Sequence, residues 1–326
     1  MNARMNRILT VLLLGAFIMA ACQPQTAPTA PAAAQPEKKY TIGIVLKSFS
    51  NPFWMMAKTA AEAEAKAEGV DVTILGITEE GDYNGQVAHI EDLVTKKVDM
   101  IVVVPADAKA LVPAVEAAVA AGIPVINMDS PIGSDKVISF IGSDNVVGGG
   151  MAAKYIAEKL GGKGNVGIIR GMLSNPVETQ RYTGFTDELK KYPDMKVVAE
   201  GVGDWEADKG SNVMEDFLTA HPEINAVFAE SDRMILGASS AAAAANRKDI
   251  VLVGLDGIVE ALQAVKDGTI SADVAQRPDL MGQYAVKYGL EYLKTGKIEK
   301  TVTTPMTLAL PDNVDPLIAA WKAVQP

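Results

Sequence analysis

The sequence is poor in the residues that most often carry chemistry: it has one cysteine, Cys22, and two histidines, His89 and His221. A lone cysteine cannot form an intramolecular disulfide, so a folded domain here must be held by its core. Two histidines and one cysteine cannot build the usual His/Cys metal clusters. His89 falls inside a helical pattern and His221 in an AHPEI turn. Neither lies at a strand end, which argues against a Ser–His–Asp or Cys–His arrangement. The sequence also has no Walker-type phosphate loop, and its Gly-rich GGKGNVG (161–167) precedes a strand, the reverse of a dinucleotide fingerprint. No cofactor and no metal are expected. Positive charge is scarce as well, with 30 Lys and Arg against 40 Asp and Glu for a formal net charge of −10. Arg4 and Arg7 precede Cys22, where there is no acid; 28 basic and 40 acidic residues, net −12, make up the rest. Such a chain has no general attraction for nucleic acid or anionic lipid, and a neutral or cationic ligand suits it better.

Long apolar runs are missing too, except at the start. Residues 1–7 are short and basic, and Ile8–Ala21 (ILTVLLLGAFIMAA) is apolar. That run is short of the ~20 residues of a comfortable membrane span and suits the h-region of an export signal. It ends at Met19-Ala20-Ala21-Cys22, which resembles a bacterial lipobox; that resemblance implies acylation of Cys22 as the mature N-terminus. The alternative is a cleaved signal peptide that happens to end near a cysteine. Residues 23–39 (QPQTAPTAPAAAQPEKK) are rich in Pro, Ala and Thr and read as a semi-extended tether, able to reach roughly 50 Å at ~3.1 Å per residue.

From Tyr40 onward, short β-branched runs alternate with amphipathic stretches. The runs are TIGIVL (41–46), VDVTILGI (70–77), MIVVVP (100–105), PVINMD (124–129), NVGIIRG (165–171), MKVVAEGVG (195–203), AVFAES (226–231), IVLVGLD (250–256) and ISADVAQ (270–276). Helix-like segments between them include 53–68, 86–97, 110–121, 148–160 and 209–220. Near-continuous apolar strands alternating with helices predict an α/β fold, with doubly wound parallel sheets covered on both faces. The Gly-rich SDNVVGGG (143–150) falls near the middle and predicts a break into two lobes there.

Ligands of open parallel sheets sit beyond the carboxyl ends of the strands. Reading outward from those ends gives Lys47, Ser50 to Trp54, Asp129-Ser130, Gln180-Arg181, Asp204-Trp205, Glu230 to Asp232, Asp256-Gly257 and Gln276-Arg277. Planar polar groups and three aromatics dominate, although aromatics are only 6% of the chain. A sugar needs this combination: its C–H faces stack on rings and its hydroxyls both donate and accept, which carboxylates, Arg, Asn and Gln satisfy. Taken singly, Phe53 and Trp54 could instead staple a helix, Trp205 could pack under a loop, and Asp129 and Asp256 could be caps or turn formers.

SNPFW (50–54), IPVINMD (123–129), SDNVVGG (143–149), RYTGF (181–185), NVMEDFLTAHPEINAVFAESD (212–232), VGLDG (253–257) and VAQRPDLMG (274–282) resemble the pentose/hexose branch of bacterial periplasmic sugar-binding proteins, over about residues 40–310. The resemblance implies the type I periplasmic binding protein fold: two lobes joined by a three-strand hinge, closing on a monosaccharide and docking on an ABC-type membrane permease. Carried over by position, it implies lobes of 40–143 plus 277–306 and of 144–276 plus 307–326, and ligand-binding roles for Asn51, Phe53, Trp54, Asp129, Arg181, Trp205, Asp256 and Gln276. Phe53 and Trp54 would cover one ring face and Trp205 the other. Lys47 stands where the ribose-binding type has serine and the D-allose-binding type has lysine. Ser130 replaces an arginine of the ribose type, and Ser231 replaces an asparagine of both; each shortens the side chain.

The expectation is therefore an exported, lipid-anchored monomer of the cell envelope that binds a D-allose- or D-ribose-like sugar and does no chemistry on it. The competing readings are a binding protein for a sugar alcohol, cyclitol or furanose-like signal that reports to a receptor, and a carboxylate-based enzyme on a similar scaffold.

Overall fold

The computed structural model describes residues 38–324. The chain begins with β1 (Thr41–Leu46), α1 (Pro52–Glu68), β2 (Asp71–Gly76), α2 (Tyr83–Thr95) and β3 (Met100–Val103). It continues through α3 (Val112–Ala120), β4 (Val125–Met128), β5 (Ser139–Gly142), α4 (Asn145–Lys159) and β6 (Lys163–Arg170). Next come α5 (Pro176–Leu189), β7 (Asp194–Val202), α6 (Ala207–Ala220), β8 (Ala226–Ala229) and α7 (Asp232–Ala244). Then follow β9 (Val251–Asp256), α8 (Val259–Lys266), β10 (Ala272–Ala275) and α9 (Pro278–Thr295). The last elements are β11 (Thr301–Thr303), β12 (Thr307–Ala309) and α10 (Asp315–Val324).

The strands form two six-stranded sheets, ordered β11-β5-β4-β3-β1-β2 and β12-β10-β9-β8-β6-β7. Every pairing is parallel except β10 with β12, so the second sheet carries one antiparallel edge. The short strands β3, β4, β8 and β10 are buried at every residue, as expected where helices cover both faces. In the first lobe Val45, Ile101, Val103 and Val125 pack on Ile90, Leu93, Leu111 and Val115 from the α2–α3 side. In the second, Phe185 and Phe228 stack at 4.6 Å with their planes 3° apart.

The chain passes between the sheets three times: between β5 and α4, between β10 and α9, and between β11 and β12. The glycine run at 148–150 is not a linker. Asp144 accepts hydrogen bonds from Val146 N and Val147 N and so starts α4, and the glycines lie inside that helix. Their purpose is close approach: a Cβ on Gly149 would lie 2.0 Å from the Arg181 carbonyl oxygen, and one on Gly184 would lie 1.9 Å from that of Val146. The backbones of α4 and α5 therefore touch, which fixes the helix that carries Arg181. The sequence reading took this glycine run for a break between lobes; its glycines lie inside α4 and serve its packing on α5.

Short strands without a long β-branched run, β5, β11 and β12, lie outside the nine runs read from the sequence. No described helix is long and apolar enough to cross a membrane. Cys22, the apolar segment before it and the tether to residue 37 lie outside the described residues.

Candidate functional site

The carboxyl ends of strands from both sheets open onto one narrow cavity with about 30 Å³ of free space. Lys47 follows β1, and Asn51 and Phe53-Trp54 start α1. Asp129 follows β4, Trp205 follows β7, Ser231 follows β8, Asp256 ends β9, and Arg181 lies on α5; all of these line it. Glu80, beyond β2, and Val177 complete the wall.

On the first lobe's side, Asn51 caps α1 by accepting from Phe53 N at 3.0 Å, with Pro52 at the first helical position. The cap leaves the Asn51 amide free to donate to Glu80 Oε1 at 2.8 Å, and the Trp54 indole N–H donates to the same oxygen at 3.1 Å. Phe53 and Trp54 meet edge to face, 4.8 Å between centroids and 80° between planes. Of the two rings, one would lie flat against a guest and the other would meet it edge-on. Lys47 Nζ donates to Asp129 Oδ2 at 3.2 Å and to Ser130 Oγ, stands 5.1 Å over the Trp54 ring, and is buried. Ser130 donates to Asp129 Oδ2 at 2.7 Å. Ser130 thus anchors the lysine–aspartate pair from behind and does not reach the cavity wall.

On the second lobe's side, Arg181 is divided among three partners. Its Nε donates to Asn145 Oδ1 at 2.9 Å, its Nη1 donates to the Glu230 carbonyl, and the same nitrogen lies 3.0 Å from Asp256 Oδ1. The guanidinium carbon lies 5.8 Å from the Trp205 ring centre, within cation–π range. Asp256 is buried apart from the edge that faces the cavity, with 12% of its side chain exposed, and burial pushes its carboxyl up to about 7. Arg181 opposes that rise, and repulsion from Asp232 and Asp129 adds to it. Gln276 does not line the cavity; its Nε2 donates to Asp256 Oδ1 at 3.1 Å from behind. Glu230 is buried, accepts from Gly171 N at 2.8 Å, and is pushed well above the usual carboxylate range, chiefly by burial. Gln180 lies in the clefts to either side of α5 rather than in this cavity.

Backbone strain concentrates here. Asp129 (φ 64°) and Trp205 (φ 66°) occupy the left-handed region, and Asp256 has φ 154°. Non-glycine residues are held so only when their surroundings over-determine them, and such positions cluster at ligand sites. Glu80 and Val177 escaped the sequence reading. Glu80 lies beyond the carboxyl end of β2, where the strand-end rule points; Val177, an apolar residue on a helix, gave no signal of its own.

The arrangement has aromatic walls, buried carboxylates paired with cations, and no histidine. It can bind an uncharged, hydroxyl-rich molecule. Comparison with known proteins agrees with the geometry. The periplasmic binding protein domain family matches residues 42–298. The ribose import binding protein RbsB of Bacillus subtilis is 37% identical over 301 residues, covering 91% of this chain and 96% of that protein. The D-allose-binding periplasmic protein of Escherichia coli is 37% identical over 264 residues, covering 78% and 85%. The crystal structure of a carbohydrate transporter solute-binding protein from Agrobacterium radiobacter, in complex with D-arabinose, superposes with a TM-score of 0.83 at 34% identity, covering 88% of this chain and 99% of that one.

Proposed function

The chain belongs to the periplasmic binding protein family, and we propose that its cleft binds one monosaccharide, an aldopentose or aldohexose of the D-ribose/D-allose kind, for an ABC-type importer. One observation carries this reading: strand ends of both sheets bring Trp54, Trp205, Asp129, Arg181 and Asp256 around a single cavity. Asp129 and Asn51 on one side, with Arg181 and Asp256 on the other, would take the hydroxyls, and one of Phe53 and Trp54 would face Trp205 across the ring. Contacts from both lobes exist together only when the lobes are closed, so ligand shifts the open–closed balance by its differential affinity. A membrane permease would then read occupancy from lobe geometry. Micromolar binding, about −8 kcal/mol, spread over the roughly 12 heavy atoms of a hexose, is about 0.7 kcal/mol per atom, which small ligands can reach.

The reading includes no chemical step. It treats 40–143 plus 277–306 as one lobe and 144–276 plus 307–326 as the other, and the protein as an exported monomer anchored through acylated Cys22. Calorimetric titration of the purified protein with D-ribose, D-allose, D-arabinose and xylitol tests it, with recovery of unaltered ligand afterwards. Failure of every sugar to bind would end the sugar reading, and conversion of a bound sugar would end the non-enzymatic one. Ser231 on the wall, a short hydroxyl side chain, would suit a second possibility, a polyol or cyclitol; a tighter response to xylitol or myo-inositol than to any aldose would select it.

A further inference from the structure

Behind the cavity lies a pair of acids that the sugar reading does not use. Asp232, the first residue of α7, and Asp273, on β10, are both fully buried. Asp273 pairs in register with Gly254 of β9. A Cβ on Gly254 would lie 2.7 Å from Asp232 Oδ1 and 2.8 Å from Asp273 Oδ2, so both carboxyls converge on the one strand position with no side chain. Treated as two carboxylates, the pair leaves Asp232 Oδ1 and both oxygens of Asp273 short of a well-formed hydrogen bond, with the Gly257 N–H the one further backbone donor acting on both acids. Two bare, adjacent buried anions are prohibitively costly, whereas one shared proton supplies the missing hydrogen bond.

The pair is tied to the loop that presents Asp256. Asp232 Oδ2 accepts from Ile258 N at 2.7 Å, and Asp232 N points at Asp256 Oδ2 at 3.5 Å. Between them, Gly257 (φ 84°) follows Asp256 (φ 154°), a turn that needs holding from outside. We infer that Asp232 and Asp273 are positioning residues for the ligand carboxylate Asp256: a protonated Asp232 donates to Asp273 and pins the 256–258 turn, so that the pocket is assembled only while the pair holds its proton. This rests on the reading of the cleft as a sugar site.

The electrostatics run the same way. Burial is the main cause that pushes Asp232 well above the usual carboxylate range, and Asp273 raises it further by repulsion and by accepting its proton. Asp273 is pushed only to about 6, because that same hydrogen bond favours its charged form. The ionisable groups acting on the pair from neighbouring elements are Asp256 at the end of β9, which repels it, and Arg181 on α5, which attracts it. Both acids have raised folded-state values, so the stability they confer is present at low pH and lost as pH rises through those values.

The test uses the whole soluble protein in two arms. In the first, melting temperature without ligand is measured from pH 6 to pH 9 for wild type, D232N and D273N. An amide at either position supplies a donor that cannot titrate, so both variants should lose at least half of the wild-type alkaline fall, which should be about 4 °C or more. In the second arm, D-ribose and D-allose affinity is measured at pH 6. D232N should stay within about threefold of wild type, while D232A, which releases the Ile258 N–H, should lose about 30-fold or more. Parallel alkaline falls in wild type and both amide variants would overturn the inference, as would loss of affinity in D232N equal to that in D232A. Should no sugar bind wild type, the functional reading fails, and the melting arm still decides whether a proton is shared. D273N serves if D232N does not fold.

Discussion

Lys47 and Asp129 meet at 3.2 Å on the floor of the cavity, with 7% and 5% of their side chains exposed. They come from two different strand ends of the first sheet, and Asp129 is held there with φ 64°. The pair neutralises itself, so the floor presents oriented donors and acceptors without excess charge.

Removing one member of such a pair strands the other. Lys47→Met should lower unfolding free energy by about 3–5 kcal/mol, measured by urea denaturation without ligand. Lys47→Met with Asp129→Asn should recover much of the loss, because no buried ion is left unpaired. If the single variant were as stable as wild type, the pair would not be desolvated as the geometry requires.

Trp205→Ala should abolish most sugar binding while the fold persists, since it removes one wall of the cavity. A buried aromatic truncation costs about 3–5 kcal/mol, a loss that circular dichroism and thermal melting would detect. Trp205→Phe should retain binding within about tenfold, because stacking area survives in part. Equal loss in both variants would show that the indole contributes something other than a stacking face.

Arg181→Lys should bind at least about tenfold more weakly. A guanidinium reaches Asn145, the Glu230 carbonyl and Asp256 together, and an ammonium cannot reproduce that fork. Titration calorimetry measures the loss, and an unchanged affinity would remove Arg181 from the pocket's essential groups.

Asp256 gives the chain a specific pH dependence. Its carboxyl rises from 3.8 unfolded to about 7 in the folded protein. A raised acid contributes its full stability below pH 4 and loses it as pH climbs toward 7; the whole effect is on the order of 4 kcal/mol. Asp256→Asn should flatten stability over that window in urea titrations. Sugar hydroxyls that donate to the ionised carboxylate act oppositely, so affinity should increase between pH 5.5 and 7.5, with proton release visible in buffers of different ionisation heat. That rising limb is distinct from the alkaline fall assigned to the acid pair.

The α/β class and both lobes were legible because a buried parallel strand writes itself as an unbroken β-branched run, as in MIVV and VINM. Nearly all the pocket followed from one rule about strand ends. What stayed hidden shares a cause. Val177 enters the site by the face of a helix, and Asp232, though itself at a strand end, meets Asp273 where α7 packs on β10 over Gly254, a contact between positions far apart in the chain. No local pattern encodes such a meeting. The edge strand β12, antiparallel and only three residues long, was equally silent.

The placement of β11 and β12 also has a bearing on biosynthesis. Each sheet takes its outermost strand from residues 301–309, whichever lobe the earlier segments build. Both halves must therefore wait for the same late stretch before either is complete, and β11 closes the first sheet by pairing Thr301 with Phe140, 161 residues earlier. Non-local closure of this kind slows folding. Late closure of both sheets by one short segment would suit a chain that must cross a membrane before it folds.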